Sequence, residues 1–262
     1  MNKRALRVTS EKDATVRDKI IKEKMSDTVT EPPPQYEQTK RTRTVEIPKE
    51  ILKENRLIAL FDESPLSNRY KVLKTQILQR VKLEGLNTLL ITSATEREGK
   101  SLTAANLAIS LAKELPHTVL LVDADLRTPS LGPLFGLYGT QQGLSDYFLA
   151  GIPLADLLVS PGIDKLTLLP GHESLDNSAE VISSPKMKQL VDEVKHRYSD
   201  RFIIFDSAPL LGYADSLILS QYVDGVILVV EYGKTPCNQV EKSLHLLQGI
   251  NLLGTVLNKA PD

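Results

Sequence analysis

The chain has 262 residues, a formal net charge of −1, 41% apolar and 25% charged residues, the make-up of a soluble globular protein with no electrostatic footprint for nucleic acid. Its one cysteine, Cys237, excludes an intrachain disulfide and a cysteine-based zinc site. No run of 18 apolar residues offers a membrane span, and the charged N-terminus lacks the apolar core of a signal peptide, so a cytoplasmic location is expected.

Residues 1–45 hold eleven Lys/Arg against seven Asp/Glu, few large apolar side chains and the break Pro32-Pro33-Pro34. Such a stretch buries too little apolar surface to offset its ordering entropy and reads as a disordered tail. Residues 46–262 read as one globular domain without an internal repeat. Leu66 to Val81 is patterned as a helix. The strand Thr88–Thr92 is followed by a loop and by a helix from Ser101 to about Glu114. Further strands are expected at Val119–Val122, Leu166–Leu169, Phe202–Phe205, Gly225–Val230 and Leu253–Leu257, with a helix from Met187 to Tyr198. Several strands are continuous apolar runs, the pattern of strands buried on both faces. Strands alternating with helices give an α/β fold with a doubly wound, mostly parallel sheet in three αβα layers.

The sharpest local signal is Ser93-Ala-Thr-Glu-Arg-Glu-Gly-Lys-Ser101, set between a buried strand and a helix as a phosphate-binding loop requires. Backbone N–H groups and the helix N-terminus attract phosphate oxygens. Gly99 lets the backbone approach closely, Lys100 supplies a cation between the β- and γ-phosphates, and the Ser101 hydroxyl is a ligand for Mg²⁺. The opening glycine of the general pattern is Ala94 here. Thr95, Glu96, Arg97, Glu98, Gly99, Lys100, Ser101 and Leu102 form the expected nucleotide-binding stretch of a P-loop NTPase, with ATP and Mg²⁺ as its ligands.

Two strands end in acids: Val119–Val122 runs into Asp123-Ala-Asp125-Leu-Arg127, and Phe202–Phe205 into Asp206-Ser-Ala-Pro209. Ligands of doubly wound sheets sit at the carboxyl ends of the strands, so both acids are expected beside the phosphate loop. A lone aspartate there is more often a turn cap. Two beside a Gly-Lys-Ser loop make Asp123 and Asp206, with Ser101, the expected metal-holding set.

These elements, with Ala104–Ala108, Leu169-Pro-Gly171, Asn177, Glu180, Ala214-Asp215, Glu231, Thr235 and Val256-Leu-Asn-Lys259, resemble the bacterial tyrosine kinases of polysaccharide synthesis and export, relatives of the MinD/ParA-like P-loop ATPases. The spacing is most similar to that of the autokinases associated with exosortase-linked exopolysaccharide clusters. The resemblance implies an ATP-dependent tyrosine autokinase regulating polymer chain length or export, with Lys100, Asp123, Asp125 and Asp206 as its catalytic set. Asp123 would act near the metal and as the base on a tyrosine hydroxyl, Asp125 would support Mg²⁺, and Arg127 would anchor the second acidic loop or the partner. It also implies activation by the cytoplasmic segment of a membrane polysaccharide co-polymerase (a chain-length determinant protein), recruitment to the inner face of the membrane, and a homo-oligomer. The alternatives are a MinD/ParA-type ATPase switch without tyrosine chemistry, and a nucleotide-binding partner protein without tyrosine kinase turnover.

Three places depart from the family pattern. Glu96-Arg97 stands where Pro-Gly is usual, so Arg97 must take a conformation that glycine normally supplies. Asn68-Arg-Tyr-Lys71-Val-Leu-Lys74 replaces a Glu-x-x-Arg-x-x-Arg oligomerisation helix, and lysine lacks arginine's bidentate geometry, which argues against a ring. No tyrosine follows Tyr232, so the expected acceptor in another subunit's site is Tyr36, and most of the other tyrosines are expected to pack. Cys237 is read as a small packing residue, the four histidines as surface or loop residues, and Lys40, Arg41 and Arg43 as a solvated run.

Overall fold

In the computed structural model, residues 42–61, 65–114, 118–139, 142–196 and 201–261 are described. Tyr36, Lys40, Arg41, His117 and nearly all of the tail read as disordered lie outside them. The six strands read from the sequence form within a residue or so of their expected limits, as β2 (Thr88–Ser93), β3 (Thr118–Asp123), β5 (Leu166–Leu169), β6 (Arg201–Asp206), β7 (Gly225–Glu231) and β8 (Leu252–Asn258). Two short strands were not legible: β1 (Arg43–Thr44) and β4 (Val159–Ser160). Two residues carry no periodicity, and both strands lie at or next to one sheet edge. Arg43, read as part of a solvated run, is exposed yet pairs with Val159.

The described strands form one eight-stranded sheet in the order β1-β4-β5-β3-β6-β2-β7-β8. Every ladder is parallel except β4 with β5. Because side chains alternate across a strand, the sheet divides the core into two halves. Leu89, Ile91, Val119, Leu121 and Ile204 pack on one side, against Leu52 of the helix Lys49–Glu54 (α1), Ile77 of the helix Pro65–Glu84 (α2) and the helix Lys100–Glu114 (α3). Leu90, Leu120, Val122, Ile203 and Phe205 pack on the other, against Met187, Leu190, Val191 and Val194 of the helix Pro185–His196. Three αβα layers result, as the uninterrupted apolar runs require.

Strand order places β3, β6 and β2 side by side at the centre. Their carboxyl ends therefore converge: Asp123 is the register partner of Asp206, and Ile91 pairs with Asp206 from the other side. Lys74 is buried and pairs with Glu114 of its own chain, so it is spent inside the fold. One further expectation is corrected: Cys237, read as a packing residue, is exposed, because it opens the helix Cys237–Leu246 on its solvent side. Tyr138 and Tyr232 are exposed by 71% and 51%, since both sit in connections outside the core layers.

Candidate active site

The phosphate loop leaves β2 at Ser93 and enters α3 at Lys100. Its shape is held by a buried carboxylate. Glu98, only 2% exposed, accepts hydrogen bonds from Thr95 N (2.9 Å), Thr95 Oγ1 (3.0 Å) and the Thr235 hydroxyl. The loop is then fastened from outside by the end of β8. Asn258 Nδ2 donates to Glu98 O at 2.7 Å, and Lys259 Nζ donates to Arg97 O at 3.0 Å while pairing with Glu231 at 2.9 Å. Gly99 has a φ of +94°, and a Cβ there would collide with Asn258 Nδ2, so only glycine serves. Arg97 takes a φ of +62°, the left-handed conformation expected for it from the sequence. The Tyr213 hydroxyl reaches Glu96 Oε1 at 3.3 Å.

Lys100, Asp123, Asp125 and Asp206 come together beneath this loop. Lys100 Nζ lies 2.8 Å from Asp125 Oδ2 and 3.4 Å from Ser101 Oγ. Asp125 Oδ1 accepts from Thr128 N at 3.0 Å, so Asp125 orients the lysine. Asp123 Oδ2 accepts from the N–H groups of Ser130 and Leu131, both at 2.8 Å. Ser130 Oγ in turn meets Ser101 Oγ at 3.0 Å. Asp123 Oδ1 and both oxygens of Asp206 are buried without a hydrogen-bond partner among the described residues. Buried carboxylate oxygens without donors are costly unless a cation supplies the missing charge. Hard oxygens beside a hydroxyl form a donor set of the kind Mg²⁺ takes, so the residues present fit that ion.

The electrostatics follow from burial. Desolvation and the charge of Asp206 push the Asp123 carboxyl well above the usual carboxylate range. Burial also raises Asp206, against the opposing pull of the Lys100 ammonium. For Lys100, burial alone would lower the pKa, but Asp206, Asp125 and Asp123 outweigh it and raise it. The site is therefore short of positive charge.

Two clefts flank the segment that carries the Asp123 hydrogen bonds. One of about 250 Å³ is lined by Arg97, Gly99, Lys100, Ser101, Ser130 and Leu134, with Leu102 beside them. The other, about 240 Å³, is lined by Asp123, Pro129, Pro133, Tyr138, Gly171 and His172. Gly171 is pressed between Pro129 and Asp123, where an added Cβ would sit 2.6 Å from Pro129 Cβ and 3.2 Å from Asp123 Cγ. His172 holds a φ of +73°, and its Nδ1 lies 2.8 Å from Asp146 Oδ2. Arg127 donates to Asp176 O at 3.1 Å, approaches the buried Asp215 at 3.5 Å and stacks 4.5 Å over the Tyr213 ring, so it anchors the following loop.

Sequence reasoning listed Thr235, Glu231, Asn258 and Lys259 as family motifs without assigning them a role, passed over Ser130 and Asp146, and read His172 as a surface or loop residue. Asn258 and Lys259 follow a parallel strand, so the rule that such strand ends meet at one sheet edge was the signal that could have found them.

A family profile described as an AAA domain matches residues 97–259. The chain is 35% identical over 205 residues to the tyrosine-protein kinase YwqD of Bacillus subtilis, covering 77% of this chain and 85% of that one. It is 34% identical over 182 residues to the succinoglycan biosynthesis transport protein ExoP of Rhizobium meliloti, covering 65% of this chain and 22% of that one. Among solved structures, the chimerical protein CapA2B2 superposes with a TM-score of 0.73 at 27% identity, over 84% of this chain and 94% of that one.

Proposed function

The chain belongs to the bacterial tyrosine-kinase family, and on that premise we propose that Mg-ATP binds at the loop Thr95–Leu102 and that its γ-phosphoryl group passes to a tyrosine hydroxyl at Asp123. The protein is an ATP-dependent protein-tyrosine kinase of exopolysaccharide and capsule biosynthesis. The observation that carries the site assignment is the buried pair Asp123 and Asp206 beside Lys100 and Ser101, in which Asp123 Oδ1 and both Asp206 oxygens lack a hydrogen-bond partner among the described residues. Ser101, Asp123 and Asp206 would hold Mg²⁺, which when bound neutralises charge developing on the phosphoryl oxygens.

The chain's own groups have separable tasks. The loop N–H groups and the start of α3 bind the phosphates, and Lys100, aimed by Asp125, faces the bridging oxygen. The phenol enters through the cleft lined by Pro129, Pro133, Tyr138 and His172, which Asp123 also lines. Asp123 then takes the phenolic proton. The phenolate oxygen forms the new P–O bond as the bond to the β-phosphate oxygen breaks and ADP leaves. Burial, which raises the Asp123 carboxyl, makes it the better proton acceptor. Phosphoryl transfer asks mainly for positioning and charge neutralisation, and this residue set supplies both.

The partner belongs to the same reading: the cytoplasmic segment of a membrane polysaccharide co-polymerase activates the kinase and brings it to the membrane. In support, the matching stretch is 22% of the length of ExoP, a transport protein by name, so a module of this kind exists there within a longer chain. No helix among the described residues is long and apolar enough to cross a membrane.

The test is incubation of the purified protein with γ-labelled ATP and Mg²⁺, with and without that cytoplasmic segment, beside Lys100→Ala and Asp123→Asn. Label on tyrosine that disappears in both variants is the expected result, and Tyr36→Phe asks whether the tail carries it. Phosphate release without tyrosine label would replace the kinase reading with an ATPase switch. Binding with neither product would leave a nucleotide-holding protein.

A further inference from the structure

The site holds three buried carboxylates, Asp123, Asp125 and Asp206, and one partly buried cation, Lys100, paired with Asp125. One further cation stands at the rim. Arg97 lines the phosphate cleft together with Lys100 and Ser101, and among the described residues its guanidinium has no hydrogen-bond or ion-pair partner. Its backbone is the unusual part. A φ of +62° suits glycine and strains any residue that carries a Cβ. Surrounding structure over-determines that conformation. Lys259 Nζ fixes Arg97 O at 3.0 Å, Asn258 fixes the next carbonyl at 2.7 Å, and Glu98 is locked inside the loop by Thr95 and Thr235. A side chain chosen for the backbone alone would be glycine, so the arginine needs a reason in what its guanidinium reaches.

We propose that Arg97 is a phosphate-binding residue of this kinase, contacting the β- and γ-phosphate oxygens of the bound nucleotide from the same chain and adding a second positive charge opposite Lys100. The inference rests on the reading that the loop takes a nucleoside triphosphate. Its chemistry is that of a planar, permanently charged fork matched to phosphate oxygens. The latch on Arg97 O holds the base of the side chain at the cleft, so less freedom is lost when the contact forms. Thr95, two residues earlier, offers only a hydroxyl and is already engaged with Glu98.

The test uses the full chain with Arg97→Gly and Arg97→Lys, titrated by calorimetry with AMP, ADP and a non-hydrolysable ATP analogue in Mg²⁺, beside thermal unfolding. Arg97→Gly should weaken the ATP analogue about tenfold or more, ADP less, and AMP not at all. Its Tm should be equal or higher, because glycine accepts the backbone angle without strain. Arg97→Lys should recover part of the affinity for the analogue. Wild-type affinity in Arg97→Gly would overturn the proposal, as would an equal loss for all three nucleotides, which would mark a disturbed loop. Failure of the unsubstituted chain to bind any of them would overturn the nucleotide reading itself, and this inference with it.

Discussion

Asp123 and Asp206 are register partners at the carboxyl ends of adjacent parallel strands, both fully buried. Two carboxylates so placed cannot both carry charge cheaply unless a cation joins them. In the folded chain both carboxyls titrate above their ordinary range. The folded state therefore keeps protons that the unfolded state has released.

That stabilising contribution is complete below about pH 4 and is lost as pH rises through the raised values. Mg²⁺ competes with the same protons, so the gain in Tm on adding Mg²⁺ should grow with pH between 6 and 8, on the scale where binding displaces protons. Thermal unfolding at three pH values, with and without MgCl₂, measures it. Asp206→Asn should flatten the dependence. A gain from Mg²⁺ that ignores pH would remove these two carboxylates from the metal site.

Lys100→Ala should abolish nucleotide binding and also destabilise the fold. Removing the ammonium leaves Asp125, 1% exposed, as an unpaired buried charge, at a cost of about 3 kcal/mol. Asp125→Asn in the same background should return part of that stability without restoring binding. Urea denaturation and nucleotide titration together separate the two effects, and full stability in the single variant would show that the pair is not buried as described.

His172→Gly tests the acceptor cleft. The substitution removes the imidazole held by Asp146 while suiting the φ of +73°. The KM for a tyrosyl peptide should rise by roughly tenfold, the worth of one oriented polar contact, with the KM for ATP unchanged. A change confined to ATP would move the phenol out of this cleft.

Asp224 joins four parts of the fold. It accepts from the N–H groups of Asn87 and Thr88, both at 3.0 Å, pairs with Lys195 at 2.6 Å, and offers its carbonyl to Asn251. Partial burial works against its charged form, but those donors outweigh it and hold its carboxyl below the usual range. Its stabilisation is present above about pH 4 and lost as pH falls through the lowered value. Asp224→Ala should cost about 2 kcal/mol at neutral pH by urea denaturation and shift acid unfolding to higher pH.

What could be read without coordinates follows from which signals are local. Strands such as Leu89–Ile91 announce themselves because both faces are buried, and an aspartate after each of two such strands marks the site edge. Arg97 was legible too, since a glycine-like turn constrains any residue placed in it. The hydrogen bonds that brace the loop were not, because Glu98 and Asn258 meet only through the order of the sheet. Exposure of Tyr138 and Cys237 was equally hidden, as it depends on which side of a short element faces the core.

The latch between Asn258 and Glu98 spans 160 positions of chain. Closing so long a separation is slow relative to local contacts, because the chain must give up its loop entropy before the bond forms. On the ribosome, synthesis proceeds from the N-terminus, so the phosphate loop emerges long before the strand that fastens it. A nascent chain lacking β8 would have its Gly-Lys-Ser segment but nothing from Asn258 or Lys259 holding the carbonyls of Arg97 and Glu98, and competence for nucleotide would arrive only once β8 has emerged.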